Sequence, residues 1–366
     1  MRYIGIIILL VLCLTFLLLT GCIVNTVNAE TVIENIENQK DFNQCSNNFQ
    51  SSSTGSVQEP TEEPETENPK KWSGLGMVLV DVHDISQFDD DVDTLLANGF
   101  TQIRVPIRPY EDPNGVAISK TAVLHAIAKG AQVIWGVCGH SPITAAKWAA
   151  HRQAILDTAT WAQANGLYEF QLGNEEETHN DDTILTDAQL ITNLKSVATE
   201  VKAIFTNGNV SYSCFGANID DWITAGKGDI DILASNIYRG GEGYYCDGWK
   251  TLITNLVNAF GSEGTYLTEF NLSWSSLDDY STDEVVQAAD ITEMIEYIKA
   301  SGMTRAFFFC YNDLPWLSGF GAIKDDGTYR QLWNQALLNT GPVESTTVPA
   351  KTTTISLPHT IELTPK

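Results

Sequence analysis

Tyr168–Thr178 reads YEFQLGNEEET. Leu167, Phe170 and Leu172 give a short β-like run that ends at Gly173 and then releases Asn174 and Glu175 together. A second run of this kind, Gly264-Thr265-Tyr266-Leu267-Thr268, delivers Glu269, followed by Phe270 and Asn271. Two strands that each end in a carboxylate can hold two acids on a rigid rim facing one bond. The rest of the chain reads as the scaffold that brings Glu175 and Glu269 together.

Working outward, short β-branched runs alternate with longer segments of helical period. The strand candidates are Gly76–Val82, Thr101–Ile107, Gln132–Val137, Tyr168–Leu172, Val210–Phe215, Ile230–Asn236, Thr265–Thr268 and Arg305–Cys310. Between them lie amphipathic stretches such as Thr144–Asn165, Asp187–Phe205 and Asp283–Ala300. Asp187 and Asp283 read as helix starts, and Gly130, Gly166, Gly261 and Gly302 as stops. This repeat predicts an α/β protein with a single (β/α)8 TIM barrel, in which parallel strands close on themselves. An open doubly wound sheet would want a glycine-rich phosphate loop after its first strand, and Val82-His83-Asp84-Ile85 is not one. The barrel is expected over residues 72–341, close to the roughly 250 residues usual for this fold.

The flanks carry no such pattern. Ile4 to Leu19 is mostly apolar, a little short for a spanning helix of about 20 residues, and suits the core of a signal peptide. It closes with Leu19-Thr20-Gly21-Cys22, which resembles the bacterial lipobox, so residues 1–22 read as a signal peptide ending at a lipid-bearing Cys22. A cut after Val27-Asn28-Ala29 would release a soluble protein instead, and an uncleaved anchor is the third alternative. All three export the domain. Residues 23–71, with Ser51-Ser52-Ser53 and an acidic, proline-spaced run from Glu59 to Glu67, read as a disordered linker. Residues 342–366, rich in threonine and proline, read as a disordered tail.

The formal charge is −25, from 46 acidic against 21 basic residues. This argues against nucleic acid or an anionic surface as partner of the folded domain, since either demands a basic face. A neutral substrate and a monomeric state are expected. Cys138, Cys214 and Cys310 fall in or at the end of apolar runs, where a small buried thiol is the default. Cys45 and Cys246 lie in loop-like context, where a bridge between them is an alternative. No CxxC or HExxH spacing occurs, so neither a metal nor another cofactor is expected.

In such a barrel, polar groups at the C-terminal ends of strands point into the active site. Those positions hold Asp81 and His83, Arg104 and Arg108, His140, Asn174 and Glu175, Tyr238, Glu269, and Tyr311 to Asp313. Singly, each has a structural explanation: Arg104 could pair with a neighbouring carboxylate, and His140 could cap a helix. Jointly, two carboxylates, an Arg and a Tyr converge from different strands.

The segments Ile103-Arg104-Val105-Pro106, Gly173-Asn174-Glu175, Asn236-Ile237-Tyr238 and Thr268-Glu269-Phe270 resemble clan A of the retaining glycoside hydrolases, the barrel group that includes cellulases, mannanases and galactanases. The resemblance spans residues 72–340, including Gly321-Ala322-Ile323-Lys324-Asp325-Asp326-Gly327 before the last helix. It implies that Glu175 is the general acid and base and Glu269 the nucleophile, with their carboxyls roughly 5–5.5 Å apart. It further implies that Arg104 and Tyr238 hydrogen-bond Glu269, that Asn174 binds the sugar 2-hydroxyl, and that the partner is a carbohydrate. Glu176 and Glu177 read as solvated starts to the next loop. Members usually carry a tryptophan at the end of strand eight, whereas this chain has Phe307-Phe308-Phe309-Cys310-Tyr311-Asn312, with Tyr311 or Trp316 as substitutes. Trp274 and Trp316 are candidate sugar platforms. Trp148, Trp161 and Trp333 are expected in outer packing, while Trp222 and Trp249, in loops, either shape a cleft or pack. The alternatives are a carbohydrate-binding pseudoenzyme on the same barrel and a transglycosylase using the same residues.

Overall fold

The computed structural model describes residues 72–80, 85–107, 113–138, 144–177, 185–240, 248–272, 283–314, 319–324 and 326–341. The expected leader, linker and tail lie outside the described residues, as do Asp81, His83, Arg108, His140, Cys45, Cys246, Trp274 and Trp316. Among the described residues no helix is long and apolar enough to cross a membrane.

The strands are β1 (Gly74–Val78), β2 (Gln102–Ile107), β3 (Gln132–Val137), β4 (Glu169–Asn174), β5 (Asn209–Phe215), β6 (Ile232–Arg239), β7 (Leu267–Leu272) and β8 (Arg305–Phe308). They close in sequence order into one barrel, with β1 and β8 pairing in parallel from Gly74 opposite Arg305. The helices are α1 (Ile85–Ala97), α2 (Pro113–Ala128), α3 (Ala145–Ala164), α4 (Asp187–Ile204), α5 (Ile219–Ala225), α6 (Trp249–Phe260), α7 (Glu284–Ala300) and α8 (Gln331–Leu337). The fold is therefore the expected (β/α)8 barrel, and β3 has the expected bounds. β1 stops at Val78 rather than Val82 and β8 at Phe308 rather than Cys310, while β6 and β7 run on to Arg239 and Leu272. Apolar composition sets the length of a run, but the ladder partner sets the length of a strand.

The helix boundaries follow from local chemistry. Asp283 caps α7 by accepting the N–H groups of Val285 and Val286. α4 starts at the expected Asp187, because Thr186 just before it caps the helix in a reciprocal capping box with Gln189. Gly130, Gly166, Gly261 and Gly302 all have the positive φ of a chain leaving a helix.

Apolar side chains form two layers. One, with Phe100, Trp135, Phe170, Tyr212 and Trp222, is the larger cluster and includes buried residues of the helices. The other, with Val78, Ile134, Ala234, Tyr266 and Phe307, fills the barrel interior. Trp222 and Trp249, placed in loops by the sequence, sit in and at the start of short helices and are buried packing residues.

Two irregularities re-aim side chains at the barrel mouth. Gln171 pairs with Ser211 and Asn174 with Ser213, so β4 spends one more residue than β5 over the same rise. Asn174 thereby returns to the inner face that Gln171 occupies. Ser235 pairs with Leu267 but Asn236 with Glu269, so β7 carries an extra residue and both Thr268 and Glu269 can turn inward.

Deeper in the barrel, Glu169 accepts the Tyr266 hydroxyl at 2.5 Å and pairs through its other oxygen with Arg305. The Arg305 guanidinium lies 4.1 Å from the Tyr266 ring centroid. Removing one partner of a buried pair leaves the other charge uncompensated. Glu169→Gln should therefore lower unfolding free energy by about 3 kcal/mol or more in urea denaturation. A loss below about 1 kcal/mol would mean that Arg305 finds water or another acceptor.

Candidate active site

The centre of the barrel mouth is Arg104, whose side chain is fully buried. Nε donates to Gln171 Oε1, Nη1 to Glu269 Oε1 and Nη2 to Asn174 Oδ1, each at 2.7 Å. The rigid guanidinium fork thus sets the relative positions of side chains from β2, β4 and β7. Gln171 fits because β3 has Gly136 beside it, where a Cβ would come within 2.9 Å of the Gln171 amide oxygen.

Glu269 receives a second donor at its other oxygen, from Tyr238 OH at 2.5 Å. Both carboxylate oxygens therefore act as acceptors, and the side chain is aimed from two strands. Asn174 Oδ1 takes the Arg104 bond and one from Asn236 Nδ2 at 3.2 Å, while its Nδ2 has Cys138 Sγ at 3.8 Å. With the oxygen saturated and the sulfur a weak acceptor, the Asn174 amide N–H is the group left to offer a ligand. Asn236 is oriented in turn by Ser213 and Thr268, which donate to its Oδ1 at 2.9 and 2.8 Å.

Glu175 is half-buried, and its N–H continues the ladder by donating to Ser213 O at 2.8 Å. Its φ is +51°, the only positive value at a non-glycine among the described residues. Its pKa is held well above the usual carboxylate range, first by burial and second by the charge of Glu269, with the charge of Glu177 adding to both. A hydrogen bond from Asn236 and the charge of Arg104 oppose the rise. Of two neighbouring carboxyls, then, one accepts two strong donors and the other is favoured in its protonated form.

The structure brings Arg104, Asn174, Glu175, Tyr238 and Glu269 together. Tyr311 does not join them. It is 1% exposed and packs 5.7 Å from the ring of Trp333 on α8. The aromatic rings beside Tyr238 are those of Phe309 and Phe320, with centroids 6.3 and 5.7 Å away. β8 ends before Phe309, so that residue, and not Tyr311, faces the mouth. Trp274, Trp316 and His140 lie outside the described residues. Glu176 and Glu177, expected to be solvated, are 0% and 6% exposed. Glu177 accepts Tyr212 OH at 2.8 Å and the Trp222 indole N–H, and burial brings its pKa up to about 7.

Gln171 and Asn236 escaped notice as site residues. For Gln171 the signal was present: Glu169 and Gln171 alternate with Phe170 and Leu172, so the polar face of this strand looks into the barrel. Cys138, Cys214 and Cys310 are buried, as expected of small thiols in apolar runs. Among the described residues no cluster of His, Cys, Asp and Glu could hold a metal ion.

No family model matches the sequence, and no curated protein matches it. Among solved structures the chain is similar to an exo-β-1,4-mannosidase from Opitutaceae bacterium strain TAV5, at 13% identity and a TM-score of 0.58, over 74% of this chain and 59% of that one. A GH53 catalytic domain from Ignisphaera aggregans matches at 15% identity and a TM-score of 0.57, over 76% of this chain and 99% of that one. The catalytic domain of the major endoglucanase from Xanthomonas campestris pv. campestris matches at 15% and 0.53, over 73% and 94%. The chain thus spans 59% of the length of the mannosidase and nearly all of the other two. At these identities the likeness is one of fold, and it falls among glycoside hydrolases.

The electrostatics can be tested without any substrate. Glu269→Gln removes the charge that helps hold the proton on Glu175, so the Glu175 carboxyl should titrate at lower pH than in the parent. Carbon-13 NMR of glutamate-labelled protein, with Glu175→Gln to assign the resonance, reads this directly. An unmoved titration would mean that burial alone sets the proton affinity.

Proposed function

We propose that the chain is a retaining β-glycosidase acting on a poly- or oligosaccharide. The observation that carries this reading is the unlike treatment of two neighbouring carboxyls. Glu269 is fixed as an acceptor by Arg104 and Tyr238, while burial and the charge of Glu269 keep Glu175 protonated. The likeness of fold to a mannosidase, an endoglucanase and a GH53 domain supports the substrate class.

In this reading Glu269 attacks the anomeric carbon and forms the glycosyl–enzyme bond. The carbon–oxygen bond to the leaving group breaks as Glu175 gives that oxygen its proton. Glu175, now ionised, takes a proton from water, which attacks the same carbon and releases Glu269. Asn174 Nδ2 donates to the sugar 2-hydroxyl, a contact that tightens as charge develops on the ring. Phe309 and Phe320 provide apolar ring surface beside Tyr238. No step calls for a cofactor. The Leu19–Cys22 pattern supports export of this activity on a lipid anchor, with the linker holding the barrel away from the membrane.

Hydrolysis of a panel of β-linked polysaccharides and aryl β-glycosides by the full chain, beside Glu175→Gln and Glu269→Gln, tests the assignment. Both variants should lose at least about 1,000-fold in turnover of a substrate with a poor leaving group. A parent that binds one of the glycans and cleaves none of them overturns the reading.

The pH profile carries a second expectation. Glu175 must enter the reaction protonated, so activity is present below its folded pKa and lost as pH rises through it. Because that pKa is raised, the alkaline limb should lie well above the ordinary carboxylate range. A limb within that range would separate Glu175 from the acid role.

A further inference from the structure

A left-handed backbone at a β-carbon-bearing residue is costly and persists only where the surroundings over-determine it. Glu175 is such a residue, and the chain just after it is held from two sides. Tyr212 OH, on β5, accepts the Glu176 N–H at 3.1 Å and donates to Glu177 Oε2 at 2.8 Å. Trp222, on α5, donates its indole N–H to Glu177 Oε1. The Glu176 carboxylate turns the other way, toward α3, where its Oε1 lies 3.2 Å from His151 Nε2. The Tyr212 ring also lies against Gly173, where a Cβ would come to 2.7 Å. Tyr212 therefore touches the chain on both sides of Glu175.

We propose that Glu176 and Glu177 form a two-sided latch that fixes the conformation of Glu175 and so positions its carboxyl for proton transfer. The inference rests on the glycosidase reading and adds positioning residues to it. Stability alone is a poor reason for this arrangement. Two buried carboxylates directly after a third repel one another, and apolar side chains of similar volume would serve packing better. What Glu177 supplies is directional anchoring to β5 and α5, while the Glu176 carboxylate lies in close ionic contact with His151 on α3.

The latch has an electrostatic consequence. Glu175 faces Glu269 from β7, Arg104 from β2, Asn236 from β6 and Glu177 from its own loop. Glu177 faces Glu176, Tyr212, Cys214 and Trp222. Removing the charge of Glu177 takes away one of the influences that keep the proton on Glu175.

The test uses the full chain with Tyr212→Phe and Glu177→Gln, both close in shape to the parent residues. Each is assayed on two aryl β-glycosides of a sugar the parent cleaves: dinitrophenyl, which leaves without protonation, and methoxyphenyl, which needs the acid. A latch predicts a kcat/KM loss of about 10-fold or more on the methoxyphenyl glycoside and under about threefold on the dinitrophenyl one. It also predicts an alkaline limb moved to lower pH in Glu177→Gln. Equal losses on both substrates with an unmoved limb would overturn it, since a merely structural role weakens both reactions alike. Carbon-13 titration of the Glu175 carboxyl in the parent and in Glu177→Gln keeps the two ideas separable. A parent that cleaves no glycoside sinks the glycosidase reading, and the same titration in Tyr212→Phe, which keeps the Glu177 charge, still decides the latch: a moved Glu175 value supports it and an unchanged one ends it.

Discussion

The mouth of this barrel depends on one buried guanidinium. Arg104 has no exposed surface and gives three hydrogen bonds to three different side chains. Taking a cation out of water is expensive unless every donor finds an acceptor, and the charge must be matched. Glu269 supplies the matching charge, and Gln171 and Asn174 take the remaining bonds. The arginine therefore does more than pair with a carboxylate. It ties the ends of β2, β4 and β7 into one geometry, and the flat fork permits little variation in where those groups sit.

A regular ladder could not feed that fork. With strict alternation, Asn174 would fall on the opposite face from Gln171, and Thr268 and Glu269 could not both look inward. The extra residues in β4 and β7 resolve the conflict at the cost of local ladder regularity. The positive φ of Glu175 belongs with these departures, since it occurs where the last rung to Ser213 has just been made. The backbone is irregular at the rim, where side chains must converge, and the pairing of β2 with β3 is regular from Gln102 to Ile107.

The sequence carried the periodic part of this structure and lost the rest for identifiable reasons. Alternating runs with helical stretches led to the barrel, and carboxylates at run ends led to Glu175 and Glu269. Tyr311 went wrong because one apolar run, Arg305–Cys310, was read past the true end of β8, which moved the inward-facing aromatic by two residues. Glu176 and Glu177 went wrong because charge in a loop is normally solvated. Their partners Tyr212, Trp222 and His151 come from elements distant in the sequence, so nothing local revealed them. Gln171 was visible as a polar residue in an apolar run, but its role appears only once Arg104 lies across the barrel.

The barrel holds the combination of arginine, glutamate and tyrosine twice, and the contrast shows what turns such a group into a site. In the deeper set, Glu169 is saturated by Tyr266 and Arg305, with the guanidinium close over the Tyr266 ring. Glu169 is fully buried, and its charge and that of Arg305 cancel and hold strands together. At the mouth, Glu269 is likewise bound to an arginine and a tyrosine, but it keeps some exposure. Glu175 stands next to it, with its proton affinity raised first by burial and then by the charge of Glu269. The residue types are the same in both tiers. A reactive pair arises where one carboxylate stays accessible and a second is placed near enough to feel its charge.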